Sequence, residues 1–255
     1  MTGLLISAPS SEQLWEQKLE LATAFRAASL YGFNEGIDNH FSALVDGTDD
    51  RFLLNPYGPD WSELSAHDLL TIDLEGELVS GIGHWERTAF IIHRAVHRER
   101  TDARCVFHTH MPYATALSMT EAGLQTRASQ NAMLFHDRVA RLAYAGLADA
   151  DEEGARIADA VASGISLVML DNHGVLVIGS SVPDAWQKLY FLERACQVQV
   201  LAQSTGSPLI LAPIPVAERT AQQWSTMCGA ETQFAAIRRA VDRLGPGWEA
   251  SAPAR

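Results

Sequence analysis

Short apolar segments alternate with long amphipathic patterns along this chain, which indicates a β-sheet combined with helices. Two pairs of apolar segments are separated by turn residues and predict hairpins, namely residues 69–74 with 77–79 and residues 165–170 with 175–179. The longest helical pattern runs from Pro183 to about Gln203 and carries a broad apolar surface. Further helices are predicted at 10–32, 86–98, 112–118, 138–145, 152–163 and 230–244.

The composition restricts the partners that the protein can bind. With 255 residues and 47% hydrophobic content, the chain can bury one large core. We expect a principal domain over residues 1–206 and a C-terminal extension, residues 207–255, whose helix packs on the body or on a neighbouring subunit. The net charge of -12 disfavours nucleic acid and anionic membranes as partners, which leaves a small-molecule substrate or another protein.

Cysteine usage and hydropathy bear on the cellular location. Cys105, Cys196 and Cys228 are widely spaced, form no CxxC pair and follow no evident secretory leader. No apolar run approaches the roughly 18 to 20 uncharged residues that span a bilayer. We therefore expect a cytoplasmic protein that does not enter a membrane.

Three histidines are suited to binding one metal ion. His108 and His110 occupy positions i and i+2 at the end of an apolar strand pattern that starts at Ala103, and alternate strand residues point to the same face. His173 lies in the sharp turn of the second hairpin, before Gly174, whose permissive backbone suits such a turn. Neutral imidazoles with open coordination positions suit Zn²⁺ and Fe²⁺, and equally Mn²⁺, Co²⁺ or Ni²⁺. We expect one divalent ion per subunit, and the ligand types do not select the metal.

Five motifs occur in a fixed order between residues 14 and 205. They are Asn39-His40-Phe41-Ser42-Ala43, Asn55-Pro56-Tyr57-Gly58, Val106-Phe107-His108-Thr109-His110, Asn172-His173-Gly174 and Leu189-Tyr190-Phe191-Leu192-Glu193-Arg194-Ala195-Cys196. Together they resemble the class II aldolase/adducin family. The resemblance implies a three-layer α/β/α fold around a mainly antiparallel sheet, and metal ligation by His108, His110 and His173. It also implies active sites between the subunits of a homotetramer.

The chain departs from the sugar-phosphate aldolases of that family. Those enzymes carry an acid/base glutamate four residues before a histidine of the helix that precedes HTH, and counting back from His93 that position is Ala89. A methyl group cannot transfer a proton, so Glu86, one turn earlier, is the candidate acid/base. The alternative interpretation of Glu86 is a solvated residue at the helix start. The glycine-asparagine loop and paired serines that bind phosphate are not evident, which favours a carboxylate or hydroxy-carbonyl substrate.

Other polar residues are candidates for the substrate pocket. Asn39 and His40 follow the first helix, where backbone capping is the alternative to substrate contact. Tyr57 is a candidate in a motif that also reads as a turn. Gln130 and His136 follow the HTH helix, where family members draw polar groups from a neighbouring subunit, and His136 is a second candidate acid/base.

Two further histidines and one cysteine have structural interpretations. His93 and His97 are spaced i and i+4, as in some metal pairs, but the three-histidine set is the better metal site. We therefore predict that they are core or supporting histidines. Cys105 is odd in register with His108 and His110, so it is expected to face the core on the opposite side of the strand.

Three classes of function remain open at this point. The first is a lyase in which the metal binds a substrate carbonyl or carboxylate while a C–C bond breaks, as in retro-aldol cleavage or decarboxylation. The second is a mononuclear non-haem Fe(II) oxygenase that decarboxylates a hydroxy acid oxidatively, for which this fold offers precedent. The third is a noncatalytic, adducin-like interaction module, which the three retained histidines and the lack of a basic tail disfavour.

Overall fold

The structure is a computed structural model that describes residues 9–147, 151–161, 164–226 and 229–249. The helices are α1 (Ser11–Tyr31), α2 (Arg87–Glu99), α3 (Pro112–Ser118), α4 (Asp151–Ala160), α5 (Val182–Gln203), α6 (Ile214–Thr226) and α7 (Ala230–Leu244), with a 3-10 turn at Ala132–Phe135. The strands are β1 (His40–Leu44), β2 (Arg51–Leu54), β3 (Leu70–Asp73), β4 (Leu78–Ser80), β5 (Cys105–Thr109), β6 (Val139–Leu142), β7 (Leu167–Leu170) and β8 (Gly174–Gly179).

The described strands form one sheet of eight strands in the order β4-β3-β2-β1-β5-β8-β7-β6. Neighbouring strands are antiparallel except for β6 and β7, which run parallel. Helices α1, α5 and α7 share a hydrophobic core with one face of the sheet, and α2 and α4 share another with the opposite face. The three-layer α/β/α fold with a mainly antiparallel sheet is confirmed.

Strand β5 shows how the sequence divides between the two faces. Cys105 and Phe107 lie in the core beneath α1 and α5, whereas Val106 lies in the core beneath α2 and α4. Because side chains alternate along a strand, His108 points to the same side as Val106. The prediction that Cys105 faces away from the histidine ligands is confirmed.

Helix α1 begins and ends where its sequence signals indicate. The Gln13 amide donates to Ser10 Oγ at 3.2 Å, and the Ser10 amide donates to Gln13 Oε1 at 2.9 Å, which completes a capping box. At the other end, Gly32 adopts φ 68°, a left-handed conformation that glycine reaches without strain. The helix buries Phe25 against Phe41 of β1, with ring centroids 4.9 Å apart, and so fixes the strand that carries His40.

The predicted helix at residues 138–145 is wrong, because Val139–Leu142 forms the edge strand β6. This strand pairs with β7, with Val139 opposite Leu167 and Leu142 opposite Leu170. The two apolar residues are spaced i and i+3, which mimics one turn of a helix over so short a segment. Pairing with the neighbouring strand outweighs that weak local signal.

The C-terminal extension contains a helix that the sequence analysis did not identify. The predicted helix α7 buries Phe234, Ile237 and Val241 in the core that it shares with α1 and α5. The additional helix, α6, lies against the 3-10 turn, where Trp224 Nε1 donates to the carbonyl oxygen of Gln130 at 3.1 Å. Both described helices therefore pack on the body of their own chain.

The structure tests the predictions about the cysteines and about membrane-spanning helices only in part. Cys105 and Cys196 are free and buried, whereas Cys228 lies outside the described residues. Among the helices that the structure describes, none combines the length and the apolar character needed to cross a membrane.

Candidate metal centre

The register of three adjacent strands brings the site together. In the β1–β5 pair His40 lies opposite His108, and in the β5–β8 pair Thr109 lies opposite Val175. His110 follows the end of β5, and His173 precedes the start of β8. The hairpin turn between β7 and β8 therefore lies beside the end of β5, where the three predicted ligands meet.

His108, His110 and His173 form a cluster that is suited to one metal ion. Each residue offers one ligand atom, and these atoms lie within 4.8 Å of one another. The Nε2 atoms of His108 and His110 are 3.1 Å apart. The carbonyl oxygen of Val175 lies 3.0 Å from His108 Nδ1 and can only accept a hydrogen bond, so Nδ1 carries the proton and Nε2 keeps its lone pair for a metal. The donor set therefore fits a divalent ion that binds imidazole nitrogen.

Burial keeps these three imidazoles in the neutral form that can bind a metal ion. It lowers the pKa of His108 well below 6.5, and the neighbouring histidines lower it further. It also lowers the pKa of His110, and it lowers the pKa of His173 to about 4, with His110 contributing to the shift. The imidazoles are therefore neutral at physiological pH, and a metal does not have to displace protons from them.

The turn that presents His173 depends on two residues with different roles. Asn172 has φ 56° in the left-handed region, which asparagine tolerates better than most residues. Gly174 is needed for space, because a Cβ there would lie 2.5 Å from the Thr109 carbonyl oxygen and 2.8 Å from His110 Cδ2. The sequence analysis assigned the permissive backbone to Gly174, but the positive φ belongs to Asn172.

We expect Gly174→Ala to weaken zinc binding about 10- to 100-fold, because the added methyl displaces His110 and the end of β5. Crowding of this kind also lowers the free energy of unfolding by about 1–3 kcal/mol. Zinc titration and urea unfolding measure the two effects. Gly245→Ala is the matched control, since a Cβ there meets nothing within 4 Å. Wild-type zinc affinity in the Gly174 variant would contradict this role.

The histidine cluster borders a cavity of about 390 Å³. Its lining includes Asn39, His40, Asn55, Tyr57, Glu86, Ala89, His108, His110 and His173. The sequence analysis proposed seven of these residues as catalytic, substrate-binding or metal-binding. All seven lie in loops or at strand ends at one edge of the fold. A cavity of this volume accepts a small organic molecule.

Glu86 lies at the cavity, but its carboxylate also caps helix α2. Oε2 accepts from the Ala89 amide at 2.8 Å and from the Thr88 hydroxyl. Ala89, the position that the sequence resemblance assigns to the aldolase glutamate, also lines the cavity. The carboxylate closest in sequence to that position is therefore near the site but engaged with the backbone of its own helix.

Asn39 and Tyr57 occupy different parts of the wall. Asn39 is buried, and its Oδ1 accepts from the Glu35 amide at 2.7 Å and from the His110 amide at 3.4 Å, so it helps to hold a predicted metal ligand. The Tyr57 hydroxyl donates to Asp38 Oδ1 at 3.2 Å, and the Asp38 charge raises the pKa of Tyr57. Tyr57 therefore presents a neutral phenol at the cavity.

Asn55 is a pocket residue that the sequence analysis passed over, although its motif was noted. Its Nδ2 donates to the Pro56 carbonyl oxygen at 3.3 Å. Its Oδ1 is buried and has no hydrogen-bond partner among the described residues. An unpaired amide oxygen at a cavity wall is suited to a polar group of a substrate.

Gln130 and His136 do not line this cavity within the chain. Gln130 lies on a separate groove with Met133 of the 3-10 turn and with Thr220 and Trp224 of α6. The His136 Nδ1 is 3.1 Å from the Thr126 hydroxyl, and its Nε2 is buried without a hydrogen-bond partner among the described residues. Their proposed role in a neighbouring subunit's site stays a prediction.

A buried line of hydrogen bonds runs from the cavity into the core. His40 Nδ1 is 2.8 Å from His93 Nε2, and His93 Nδ1 contacts Ser42 Oγ. Ser42 Oγ is 2.7 Å from His97 Nε2, and His97 Nδ1 is 2.9 Å from the Ala103 carbonyl oxygen. The sequence analysis predicted His93 and His97 as supporting histidines but missed Ser42, whose i+2 spacing from His40 places both on one face of β1.

Comparison with known proteins identifies the family. Residues 19–200 match the family described as Class II Aldolase and Adducin N-terminal domain. The chain belongs to this family. The resemblance that rests on its five motifs is thus confirmed.

Relatives within the family include both aldolases and adducins. An aldolase II superfamily protein from Pseudomonas syringae is 34% identical, with a TM-score of 0.88, over 94% of this chain and 97% of that chain. L-Fuculose 1-phosphate aldolase from Glaciozyma antarctica PI12 is 25% identical, with a TM-score of 0.80, over 94% of this chain and 95% of that chain. Beta-adducin of Homo sapiens is 30% identical over 74% of this chain but only 26% of its own length.

Proposed function

We propose that this protein is a metal-dependent lyase that cleaves a C–C bond of a small hydroxy-carbonyl or hydroxy-acid substrate, by retro-aldol cleavage or by decarboxylation. The observation that carries the proposal is the cluster of His108, His110 and His173 beside a cavity of about 390 Å³. A family relative named as an L-fuculose 1-phosphate aldolase supports carbon–carbon bond chemistry on this fold.

The three imidazoles would hold one divalent ion, with Zn²⁺ or Fe²⁺ as the first candidates and Mn²⁺, Co²⁺ or Ni²⁺ as the others. When bound, such an ion supplies Lewis-acid polarisation of a substrate carbonyl or carboxylate. Asn39 holds the His110 backbone, and Asn55 offers an amide oxygen to a substrate. Asn39 would thus steady the metal site, and Asn55 would orient the substrate against it.

The proposed proton-transfer groups are Glu86 and His136. Glu86 is the candidate within the chain, because it lies on the cavity wall one helical turn before Ala89. His136 would act from a neighbouring subunit of a homotetramer, together with Gln130 as a substrate contact. If a sizing measurement shows a monomer, His136 and Gln130 cannot belong to the site.

The proposed cytoplasmic location is tested separately by cell fractionation.

A second candidate function rests on Ala89. With no glutamate at this position, a three-histidine centre that holds Fe(II) would suit an oxygenase that decarboxylates a hydroxy acid with O₂ as co-substrate. The third candidate is an interaction module, because the chain is also similar to beta-adducin. The intact cluster of three neutral histidines favours an enzyme over that module.

We expect zinc- or iron-loaded protein to cleave a member of a panel of hydroxy-carbonyl compounds and hydroxy acids without oxygen. Product analysis under anaerobic conditions measures this, and metal-stripped protein is the control. Iron-dependent oxygen uptake without any anaerobic cleavage would reject the lyase in favour of the oxygenase. Absence of turnover with every metal, in air and without it, would reject both and favour the interaction module.

A further inference from the structure

The line from His40 to Ala103 has only one consistent direction of hydrogen bonding. At its inner end, the Ala103 carbonyl oxygen can only accept, so His97 Nδ1 carries a proton and donates. Burial lowers the pKa of His97 to about 3, so the ring is neutral and its Nε2 has a lone pair. Nε2 therefore accepts the Ser42 hydroxyl proton across 2.7 Å.

The same reasoning sets the donor and the acceptor of each hydrogen bond between Ser42 and the cavity. Ser42 has a single proton and has donated it to His97, so His93 Nδ1 must donate to Ser42 Oγ. A neutral His93 then has a lone pair at Nε2, which accepts from His40 Nδ1 across 2.8 Å. Both rings are buried, which disfavours a second proton on either of them.

We infer that His93, Ser42 and His97 fix the tautomer of His40 so that its unprotonated Nε2 is presented to the cavity as an acceptor for a substrate hydroxyl. His40 lines the cavity and stacks on His108, with ring centroids 4.7 Å apart. A hydroxyl that donates to His40 thus belongs to a substrate whose other oxygens reach the metal site. This inference deepens the proposed function and rests on it for the metal-bound substrate.

The geometry assigns His40 to substrate recognition and not to the metal. Among the described residues, the cluster whose ligand atoms lie within 4.8 Å of one another contains His108, His110 and His173 but not His40. The buried line of hydrogen bonds makes His40 Nε2 a neutral acceptor. The line does not supply protons to the cavity, because it ends at the Ala103 carbonyl oxygen, which carries no proton. Ser42, His93 and His97 are positioning residues that act through His40.

The tautomers are directly measurable by NMR on ¹⁵N-histidine-labelled protein at neutral pH, without metal or substrate. We expect His40, His93 and His97 to carry their protons on Nδ1, with a scalar coupling across the hydrogen bond between His40 Nδ1 and His93 Nε2. A proton on His40 Nε2 in the wild-type protein would overturn the inference, whatever the outcome for catalysis.

A matched pair of serine variants tests whether the line fixes the tautomer. In Ser42→Ala, we expect His40 and His93 to populate the Nε2-protonated form, whereas His97 keeps its Nδ1 proton for Ala103. Ser118→Ala is the control, since the hydroxyl of this buried serine donates to the Thr115 carbonyl oxygen and has no other partner among the residues that the structure describes. Unchanged His40 and His93 tautomers in Ser42→Ala would reject the positioning role, and the wild-type spectrum remains decisive if that variant does not fold.

Hydroxyl recognition is tested on zinc-loaded protein with glycerate and lactate, which share a carboxylate and a 2-hydroxyl and differ in the 3-hydroxyl. We expect glycerate to bind at least about tenfold more tightly and to shift the His40 Nε2 resonance, because only glycerate has a free hydroxyl donor after chelation. Equal affinities, or a His40 resonance that responds to neither, would overturn the recognition role. Failure to bind zinc would instead refute the proposed function while leaving the metal-free tautomer result intact.

Discussion

Replacing His108 and His110 together by alanine is expected to reduce bound zinc from about one equivalent per chain to less than about a tenth, because one imidazole cannot hold the ion that three hold. The two Nε2 atoms lie 3.1 Å apart, and the carbonyl oxygen of Val175 fixes the tautomer of His108. Elemental analysis after purification without a histidine tag, followed by zinc titration, measures the loss. Any catalytic cleavage is expected to disappear with the metal.

The controls separate loss of the site from loss of the fold. His67→Ala removes a histidine that packs on Trp15, with ring centroids 4.4 Å apart, and lies outside the cavity lining. His110→Ala alone is a milder variant, since His110 is less buried than His108, and it is expected to weaken zinc binding at least about a hundredfold. A wild-type zinc content in the folded double variant would contradict the metal centre.

The sequence predicted the ligand set because strand geometry and turn chemistry are local. The i and i+2 spacing of His108 and His110 places both on one face, and the order of the motifs identified the family that was later confirmed. The strand register that sets His40 opposite His108 is not local, since four elements, β2, β3, β4 and α2, lie between β1 and β5 along the chain. The contact between His40 and the buried line therefore became visible only in the structure.

The incorrect predictions for β6 and Gly174 also arise because contacts between distant segments decide the structure at these positions. Strand β6 was predicted as a helix because four residues give too little periodicity, and only its pairing with β7 decides the conformation. At Gly174 the sequence indicated a need for backbone freedom, whereas the structure shows that a Cβ would collide with Thr109 and His110. Space between two strands depends on both of them, and no single segment of sequence records it.

Acid is expected to destabilise the metal-stripped protein strongly below pH 7. Burial lowers the pKa of His97 to about 3 and lowers the pKa values of His40, His93 and His108 well below 6.5. Below pH 6.5 the unfolded chain therefore takes up protons at these four histidines while the folded chain does not. The free energy of unfolding falls with decreasing pH by about 1.4 kcal/mol per pH unit for each such group.

Glu20 opposes this trend and provides the matched control. Burial and the nearby Glu231 and Asp46 charges raise its pKa to about 7, so the folded protein takes up a proton there while the unfolded chain remains ionised. Its contribution to stability is lost as pH rises through 7 and grows as pH falls. One partly exposed carboxyl group gains about 1–2 kcal/mol between pH 7.5 and 5.5, which is smaller than the loss from four histidines.

Urea unfolding at pH 7.5 and pH 5.5 measures the difference. We expect the free energy of unfolding of the metal-stripped wild-type protein to fall by about 4 kcal/mol, because the four histidines cost about 5–6 kcal/mol and Glu20 offsets about 1–2 kcal/mol. Glu20→Gln removes the opposing group, so the loss in this variant is expected to be larger than in the wild type. Equal stability at the two pH values would show that these histidines are not held neutral by burial. A smaller loss in Glu20→Gln than in the wild type would show that Glu20 does not oppose them.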